Sequence, residues 1–278
     1  MVSTNSKSAA VTEKDVKTWR FAHASAIGLA HINQNTICQD RFACQTISTE
    51  SDGEVLIAIV ADGAGSAEKG FRGAEIACEL FTAEITDFLN SKNASISSLN
   101  TDFGKRWIEY FQRKIAEIAQ TDGKTLRDYA TTLVGAVIGE SCAVFYQVGD
   151  GGIVFSSSGA AQSYQFGVAP AESLYVNMTD FLTDETAFAS LRFEKIEDSV
   201  EDVILFSDGI FPVAVDYQTN QPHEPFLMPM IAPLRNGNNL DGLNKKLESF
   251  LNSPKLNEKT DDDKTIILAS RKSFESTL

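Results

Sequence analysis

Cysteine is scarce in this sequence, which contains four cysteines in 278 residues and no two of them spaced as Cys-x-x-Cys. They stand at Cys38, Cys44, Cys78 and Cys142, at intervals that do not suggest pairing. Small secreted folds that depend on disulfides are much richer in cysteine. The scarcity argues against a disulfide framework and favours a reducing compartment, so we expect a cytoplasmic protein.

Long apolar runs are missing as well. The longest strongly apolar run, residues 55–61, is far shorter than the ~20 residues that a membrane-spanning helix needs. Residues 1–17 are polar and mixed in charge, without the apolar region of a secretory signal. We therefore expect no membrane partner, and we predict that residues 1–20 form a flexible tail before a single domain at 21–278.

Basic residues are fewer than acidic residues in this chain. Lysine and arginine number 24 against 38 aspartates and glutamates, which gives a formal net charge of −14. Such a chain repels nucleic-acid phosphates at long range, so we expect no nucleic-acid partner. Hydrophobic residues make up 43% of the chain, which is ordinary globular usage and predicts a folded protein rather than a disordered one.

Strand-like and helical patterns alternate in blocks along the chain. Alternating or continuous apolar residues predict strands, and apolar residues at every third or fourth position predict helices. The four predicted strands within residues 129–167 follow one another at hairpin-like intervals, which favours a meander there. The predicted strands are 21–30, 41–48, 54–62, 129–140, 142–150, 152–157, 161–167, 202–208 and 265–270, and the predicted helices are 71–89, 103–118 and 240–251.

Two stretches show no regular pattern. Residues 168–199 predict an irregular excursion, which we expect to contact the substrate because loops near a site commonly set specificity. Four prolines, at 222, 225, 229 and 233, are expected to interrupt the segment that follows residue 208. No repeat or linker divides the chain, so the pattern predicts one α+β domain with antiparallel sheets and helices outside them.

Five aspartates stand where a predicted strand ends or a turn begins: Asp40, Asp62, Asp150, Asp208 and Asp262. Any single Asp-Gly pair among them is explained by turn chemistry, because the aspartate side chain bonds its own backbone. Several carboxylates at one edge of a sheet would repel one another, however, and hard divalent cations with oxygen ligands relieve that repulsion. The set therefore indicates a cation site.

The order of these motifs resembles that of the metal-dependent type 2C serine/threonine protein phosphatases, in particular their compact bacterial branch. The similarity runs from about residue 25 to residue 268. It rests on Gln39-Asp40 after the first strand, VADGAGS before a long helix, ATTLVGA, VGDG, LFSDGI and DDDKTIIL. The resemblance implies an αββα sandwich, in which two antiparallel sheets lie face to face between helix pairs.

The resemblance also implies roles at a two-metal site. Asp62 matches the ligand that bridges both ions, and the carbonyl of Gly63 matches a ligand of one of them. Asp208 and Asp262 match ligands of the other ion. Asp40 resembles the residue that holds metal-bound water, so Asp40 and Asp62 are the expected catalytic residues.

The implied cofactors are two Mn²⁺ or Mg²⁺ ions, with a weaker third ion at Asp150 and Asp208. Few direct carboxylates and many waters suit these ions, whereas zinc prefers histidine or cysteine. The three histidines of the chain, His23, His31 and His223, show no metal spacing. Two such cations activate a water and neutralise phosphoryl oxygens, so no covalent phosphoenzyme is needed.

The sequence departs from the family pattern at three positions. Asn35 stands where many members have the arginine that clamps the substrate phosphate, and it either binds substrate or caps a turn. His31 is a candidate substitute for that arginine, against the alternative of a structural histidine in a strand. Ala64 stands where some members have a histidine thought to protonate the leaving group, and Pro212 where a third-ion carboxylate often sits.

The leading functional prediction is a phosphatase that hydrolyses phosphoserine and phosphothreonine with a metal-activated water. Its partner would be a phosphorylated protein, and we expect a monomer. The alternative is a type 2C-like pseudophosphatase that binds a signalling partner without turnover. The clustered aspartates argue against that alternative, because a binding module has no physical need for them. A haloacid-dehalogenase-type phosphatase would need an Asp-x-Asp motif after an apolar strand, and the sequence has none.

Overall fold

Two five-stranded antiparallel sheets lie face to face in the computed structural model, and helices cover the outer side of each. The structure describes residues 18–158, 163–170, 179–235 and 240–271. Most of the predicted tail, residues 1–17, lies outside the described residues. Trp19 is buried, and Arg20 begins the first strand, so the fold starts slightly earlier than predicted.

The secondary structure alternates between strands and helices in the blocks that the sequence indicates. The strands are β1 (Arg20–Ala26), β2 (Arg41–Thr49), β3 (Gly53–Ala61), β4 (Leu133–Ile138), β5 (Ala143–Val148), β6 (Gly152–Ser157), β7 (Gln165–Phe166), β8 (Arg192–Ile196), β9 (Val200–Phe206), β10 (Val215–Asp216), β11 (Gln221–Pro222) and β12 (Lys264–Ser270). The helices are α1 (Leu29–Asn33), α2 (Gly70–Asn90), α3 (Thr101–Asp122), α4 (Ala187–Ser190), α5 (Phe211–Ala214), α6 (Glu224–Arg235), α7 (Leu240–Leu251) and α8 (Pro254–Asn257).

Strands that follow one another in the sequence do not always lie in the same sheet. The first sheet has the order β1-β12-β9-β6-β7, and the second has the order β2-β3-β4-β5-β8. Of the meander predicted for residues 129–167, the hairpins β4–β5 and β6–β7 are confirmed, but β6 does not pair with β5, because it crosses to the first sheet and pairs with β9. Short turns favour hairpins, but they do not show where the chain changes sheets.

Three apolar layers hold the sandwich together. Strand β3 shows why its sequence is continuously apolar: Ile57 and Ile59 face α2 and α3, while Leu56, Ala58 and Val60 face the other sheet. A strand buried on both faces needs apolar residues at every position. The helices α6 and α7 cover the first sheet in the same way, which completes the predicted αββα layering.

The proline-rich segment forms a helix, and the prediction that prolines interrupt it is wrong. Pro225, Pro229 and Pro233 recur every fourth residue and are all exposed, so the carbonyls that lose a backbone partner face water. The opposite side of α6 buries Leu227 and Ile231 against the first sheet. Burial of that side stabilises the helix despite the prolines.

Two other segments differ from their predicted structure. The predicted strand 21–30 ends at Ala26, and α1 follows it, so His31 lies in a short helix. The irregular excursion 168–199 contains α4 and β8, while residues 171–178 lie outside the described residues. Strand β8 is a half-buried edge strand, and its charged residues obscure the strand pattern in the sequence. No helix among the described residues is long and apolar enough to cross a bilayer.

Candidate active site

Asp62 follows β3 directly, and two threonines fix its backbone. Its N–H donates to Thr132 Oγ1 at 2.9 Å, and its carbonyl accepts from the N–H of Thr132 and the hydroxyl of Thr131, each at 2.9 Å. Both threonines are buried. The motif ATTLVGA therefore holds the start of the turn after β3 and aims the Asp62 side chain off the end of the second sheet.

The glycine after Asp62 allows a helix to approach this turn. A Cβ atom on Gly63 would lie 2.3 Å from the carbonyl carbon of Gly70, the first residue of α2. Gly63 also forms an isolated bridge with Thr131. No larger residue fits at this approach, so the Asp-Gly pair is required by packing as well as by turn geometry.

Asp40 lies beneath this turn and is 1% exposed. Its Oδ2 accepts a hydrogen bond from Ser207 Oγ at 2.7 Å, and Ser207 in turn accepts from the N–H of Thr265 at 2.9 Å. Burial, together with the charge of Asp263, raises the pKa of Asp40 to about 7 against the opposing effect of Ser207. Its Oδ1 is buried without a hydrogen-bond donor among the described residues.

Asp208 occupies the matching position at the end of β9 in the first sheet. Burial raises the pKa of Asp208 to about 8, and the charges of Asp150, Asp262 and Asp40 add to the effect. Its Oδ1 is also buried and has no donor in the described part of the chain. The ends of two facing sheets thus bring their carboxylates to one place.

Asp62 lies at the centre of these carboxylates. Burial is the largest cause that raises its pKa well above the ordinary value, followed by the charges of Asp40, Asp208, Asp262 and Asp150. Burial also raises the pKa of Asp262. Without a cation, the cluster must therefore retain protons that carboxylates normally lose.

A cavity of about 320 Å³ opens above the cluster. Five aspartates line it, and His31 is the single residue of its described lining that can carry a positive charge, because no lysine or arginine takes part. The lining residues are Ala30, His31, Asp62, Gly63, Ala64, Gly65, Ser66, Asp150, Thr179, Phe181, Asp208, Asp261 and Asp262. A phosphate dianion can enter such a cavity only if cations first neutralise it.

His31 lies against the buried carboxylate of Asp263, the last of three consecutive aspartates in the motif DDDKTIIL. Asp263 is 1% exposed, and its two oxygens accept the N–H groups of Gly28 at 2.6 Å and Gln39 at 2.5 Å. His31 Nδ1 lies 2.9 Å from Asp263 Oδ2, which is close enough for an ion pair although it is not aligned as a hydrogen bond. Three consecutive aspartates look alike in sequence, so only the register of β12 shows which one points inward.

Asn35 lies outside the described lining of the cavity. It is exposed, has a φ of 57°, and donates its N–H to the carbonyl of Ile32 at 3.0 Å in the turn after α1. Asparagine is one of the few residues that adopt this left-handed conformation readily. Of the two predicted roles for Asn35, the structure supports the turn rather than contact with substrate.

The donor set fits hard divalent cations. No three histidine, cysteine, aspartate or glutamate side chains of the described segments are placed to hold one ion together, so a third carboxylate would have to turn toward an ion to bind it. Carbonyl oxygens and water would complete the shell of each ion, which is typical of Mg²⁺. The orphaned oxygens of Asp40 and Asp208 and the raised pKa values nearby are the electrostatic reason for an ion here. The structure brings Asp62, Gly63, Asp150, Asp208 and Asp262 together at one cavity.

Comparisons with known proteins find relatives over most of this chain. The sequence model of the Protein phosphatase 2C family matches residues 27–252. The chain is 34% identical over 257 residues to Serine/threonine-protein phosphatase 3 of Escherichia coli (strain K12), covering 91% of this chain and 98% of that protein.

Two solved structures show a similar fold. Serine/threonine phosphatase Stp1 from Staphylococcus aureus has a TM-score of 0.58 at 14% identity, over 95% of this chain and 98% of that chain. The catalytic domain of serine/threonine protein phosphatase PstP, solved with two manganese ions, has a TM-score of 0.58 at 13% identity, over 91% and 97% of the two chains.

Proposed function

The chain belongs to the protein phosphatase 2C family, and on that premise we propose that it is a metal-dependent enzyme that hydrolyses phosphoserine and phosphothreonine in proteins. The observation that supports the proposal most is the cavity lined by five aspartates and no lysine or arginine among its described residues. A cavity of this charge suits an anionic phosphoester only when cations occupy it. The cluster is therefore a site for cations first and for phosphate second.

The aspartates at the ends of the two sheets are the proposed ligands. Asp62 would hold two ions, Asp208 and Asp262 would hold one of them, and the carbonyl of Gly63 would complete the other; Asp150 would contribute to a weaker third. Bound Mn²⁺ or Mg²⁺ would supply a water made acidic enough to attack phosphorus and positive charge for the phosphoryl oxygens.

Other residues of the chain would position the reactants. Asp40, whose Oδ2 accepts a hydrogen bond from Ser207, would accept a hydrogen bond from the attacking water and so orient it. His31, which lines the cavity and lies against Asp263, would contact a phosphoryl oxygen. Ala64, which lines the cavity, has no titratable group, so the proton for the leaving oxygen would come from a bound water or from another residue.

A pseudophosphatase is the second candidate. The absence of a lysine or arginine from the described lining favours it, because phosphate loses the bidentate contact that arginine makes. The buried, unpartnered oxygens of Asp40 and Asp208 oppose it, because a protein that only binds a partner gains nothing from their repulsion. We therefore favour the enzyme. A cytoplasmic location and a monomeric state stay predictions from the sequence.

The decisive experiment is hydrolysis of an aryl phosphate and of a phosphothreonine peptide by the purified protein. Each substrate is tested with Mn²⁺, with Mg²⁺ and with a chelator. Turnover that requires either ion and disappears with the chelator supports the enzyme. Turnover that persists in chelator would contradict the metal-dependent mechanism, and no turnover under any condition would favour the pseudophosphatase.

A further inference from the structure

The edges of the two sheets are protected unequally against pairing with another chain. Exposed edge strands invite such pairing, and proteins usually blunt them with short length, charges, bulges or a covering element. Strand β7 has only two residues, and β8 contains three charged residues, Arg192, Glu194 and Lys195. Strand β1 packs against α7, where Asn244 Oδ1 accepts the N–H of His23 at 2.9 Å.

Among the described residues, α2 packs against one face of the fourth edge, β2, but no element bonds to its outer backbone as Asn244 does for β1, and β2 has no short length, bulge or charges after its first residue. It is nine residues long, and its register with β3 is unbroken from Arg41 to Thr49. After Arg41 the strand contains no charged residue and no proline. A long, regular, uncharged edge is a site where another extended segment can add as a strand.

A groove runs between β2 and α2 beside this edge. Its volume is about 570 Å³, and Ala43 and Gln45 contribute from the strand. The helix contributes Glu75, Glu79 and Asp87, which share one side because they recur at multiples of four residues. The groove therefore combines a strand edge that no other described strand pairs with and an acidic wall, in which Glu75 is already paired with Arg72 and Glu79 and Asp87 are not part of an ion pair among the described residues.

The charge of this wall is not neutralised from the strand side. Arg41 is the one basic residue of the described lining, and its guanidinium is engaged by the carbonyls of Cys38 and Asp40 and stacks over Phe71. Glu79 and Asp87 are both exposed at the rim. An occupant that complements this groove carries lysine or arginine at alternate positions, because alternate side chains of a strand share one face.

The position of the groove connects it to the phosphatase site. Strand β2 begins at Arg41, which directly follows Asp40. A segment that pairs with β2 would therefore extend toward the end of the second sheet at which the aspartates lie. An enzyme with an acidic cavity gains specificity from contacts of this kind, because they act away from the reacting phosphate.

We propose that the groove between β2 and α2 binds an extended, lysine- or arginine-rich segment of the phosphoprotein substrate, which adds to β2 as a sixth strand. This inference rests on the proposed phosphatase function, and it names a docking surface that is separate from the aspartate cluster. Backbone pairing with β2 supplies affinity, and Glu79 and Asp87 select basic side chains.

The test compares phosphothreonine peptides with and without a nine-residue extension of alternating lysine and threonine, attached on either side. We expect one extended peptide to have a KM roughly fivefold lower than the unextended peptide, an effect of the size that two exposed ion pairs produce. The variant Glu79→Gln/Asp87→Asn should lose this advantage. The matched control Glu109→Gln/Glu117→Gln, which removes two exposed carboxylates from α3, should keep it.

Aryl phosphate turnover separates failure of docking from failure of the proposed function. Equal turnover in all three proteins shows that each is folded and active, and absence of any advantage from the extension then overturns the docking proposal alone. If the wild type turns over no substrate, the function is wrong, and fluorescence anisotropy with the labelled extension peptide tests the groove directly. An equal loss in the α3 control would also overturn the proposal, because it would reveal general attraction to an acidic protein.

Strand addition has its own signature. Every second amide of an added strand donates to its neighbour, so N-methylation at alternate residues should weaken binding in one register and spare it in the other. Hydrogen exchange of β2 amides should slow in the complex. Equal binding by both methylated peptides, with unchanged exchange in β2, would overturn the strand addition.

Discussion

His31 Nδ1 lies 2.9 Å from Oδ2 of Asp263, a carboxylate that also accepts the backbone N–H groups of Gly28 and Gln39. Three segments therefore meet at one buried side chain: the connection between β1 and α1, the approach to β2, and the turn before β12. Asp263 is placed to hold α1, and with it His31, against the edge of the cavity. We expect it to contribute to stability and to site geometry together.

Replacing Asp263 with asparagine tests this role. An asparagine has one acceptor oxygen, so its amide NH₂ would face a backbone N–H, and one buried donor would lose its partner. We expect Asp263→Asn to lower the free energy of unfolding by about 1–3 kcal/mol. Denaturant unfolding measures the loss, and Asp261→Asn, at an exposed neighbouring position, is the matched control. Equal stability of the two variants would contradict the role of Asp263.

Asp62 should be indispensable for turnover and dispensable for folding. Its neighbours Asp40 and Asp208 repel it, so Asp62→Asn should keep the circular dichroism spectrum and should not lower the melting temperature of the metal-free protein. We expect its metal-dependent hydrolysis of an aryl phosphate to fall by at least about a hundredfold, as expected for disruption of a metal site. Asp198→Asn, an exposed aspartate in a turn, should turn over normally. Near-normal turnover by Asp62→Asn would exclude a site centred on Asp62.

The positions of the central aspartates were predictable from sequence because each follows a readable apolar strand. Asp62 and Asp208 follow β3 and β9, and both strands are buried at nearly every position. Their partners were harder to foresee. Asp263 belongs to a run of identical residues, and the backbone amides that it accepts come from segments more than two hundred residues away.

The fold was predictable where local pattern and burial agree. Strands β2 to β5 and helices α2 and α3 follow their sequence patterns closely. The exceptions depend on tertiary contacts: α6 forms because Leu227 and Ile231 are buried opposite its exposed prolines. The change of sheet at β6 depends on pairing with β9, which lies about fifty residues further along the chain.

The metal-free protein should lose stability as the pH rises. The raised pKa values of Asp40, about 7, and Asp208, about 8, mean that the folded state retains protons which the unfolded state releases near pH 4. The stabilisation from these protons is fully present below about pH 4 and is lost as the pH rises to about 8. The free energy of unfolding falls with pH wherever the folded state binds more protons than the unfolded state. Melting temperatures in chelator at pH 5 and pH 8 measure this loss.

Mn²⁺ should raise the melting temperature at pH 8 more than at pH 5, because cations compete with these protons and stabilise only the folded state. The variant Asp62→Asn serves as the control, since one fewer carboxylate should flatten the decline with pH in chelator. A decline of the same slope in wild type and variant would mean that the cluster is not its source. An unchanged melting temperature in millimolar Mn²⁺ would count against a formed cation site.

Asn35 and His31 should respond differently to substitution, although both were candidates for phosphate contact. His31 lines the cavity, whereas Asn35 is exposed with a φ of 57°. Asn35→Arg should therefore leave KM for an aryl phosphate unchanged and lower stability by about 1 kcal/mol, because arginine adopts the left-handed conformation less readily than asparagine. His31→Ala should raise KM by about fivefold, the equivalent of one hydrogen bond.

Asn35→Gly, which tolerates positive φ, is the control for the turn and should fold as stably as the wild type. Steady-state kinetics at saturating Mn²⁺ decide between the two residues, and a tenfold fall in KM for Asn35→Arg would show that a side chain at this turn reaches the phosphate.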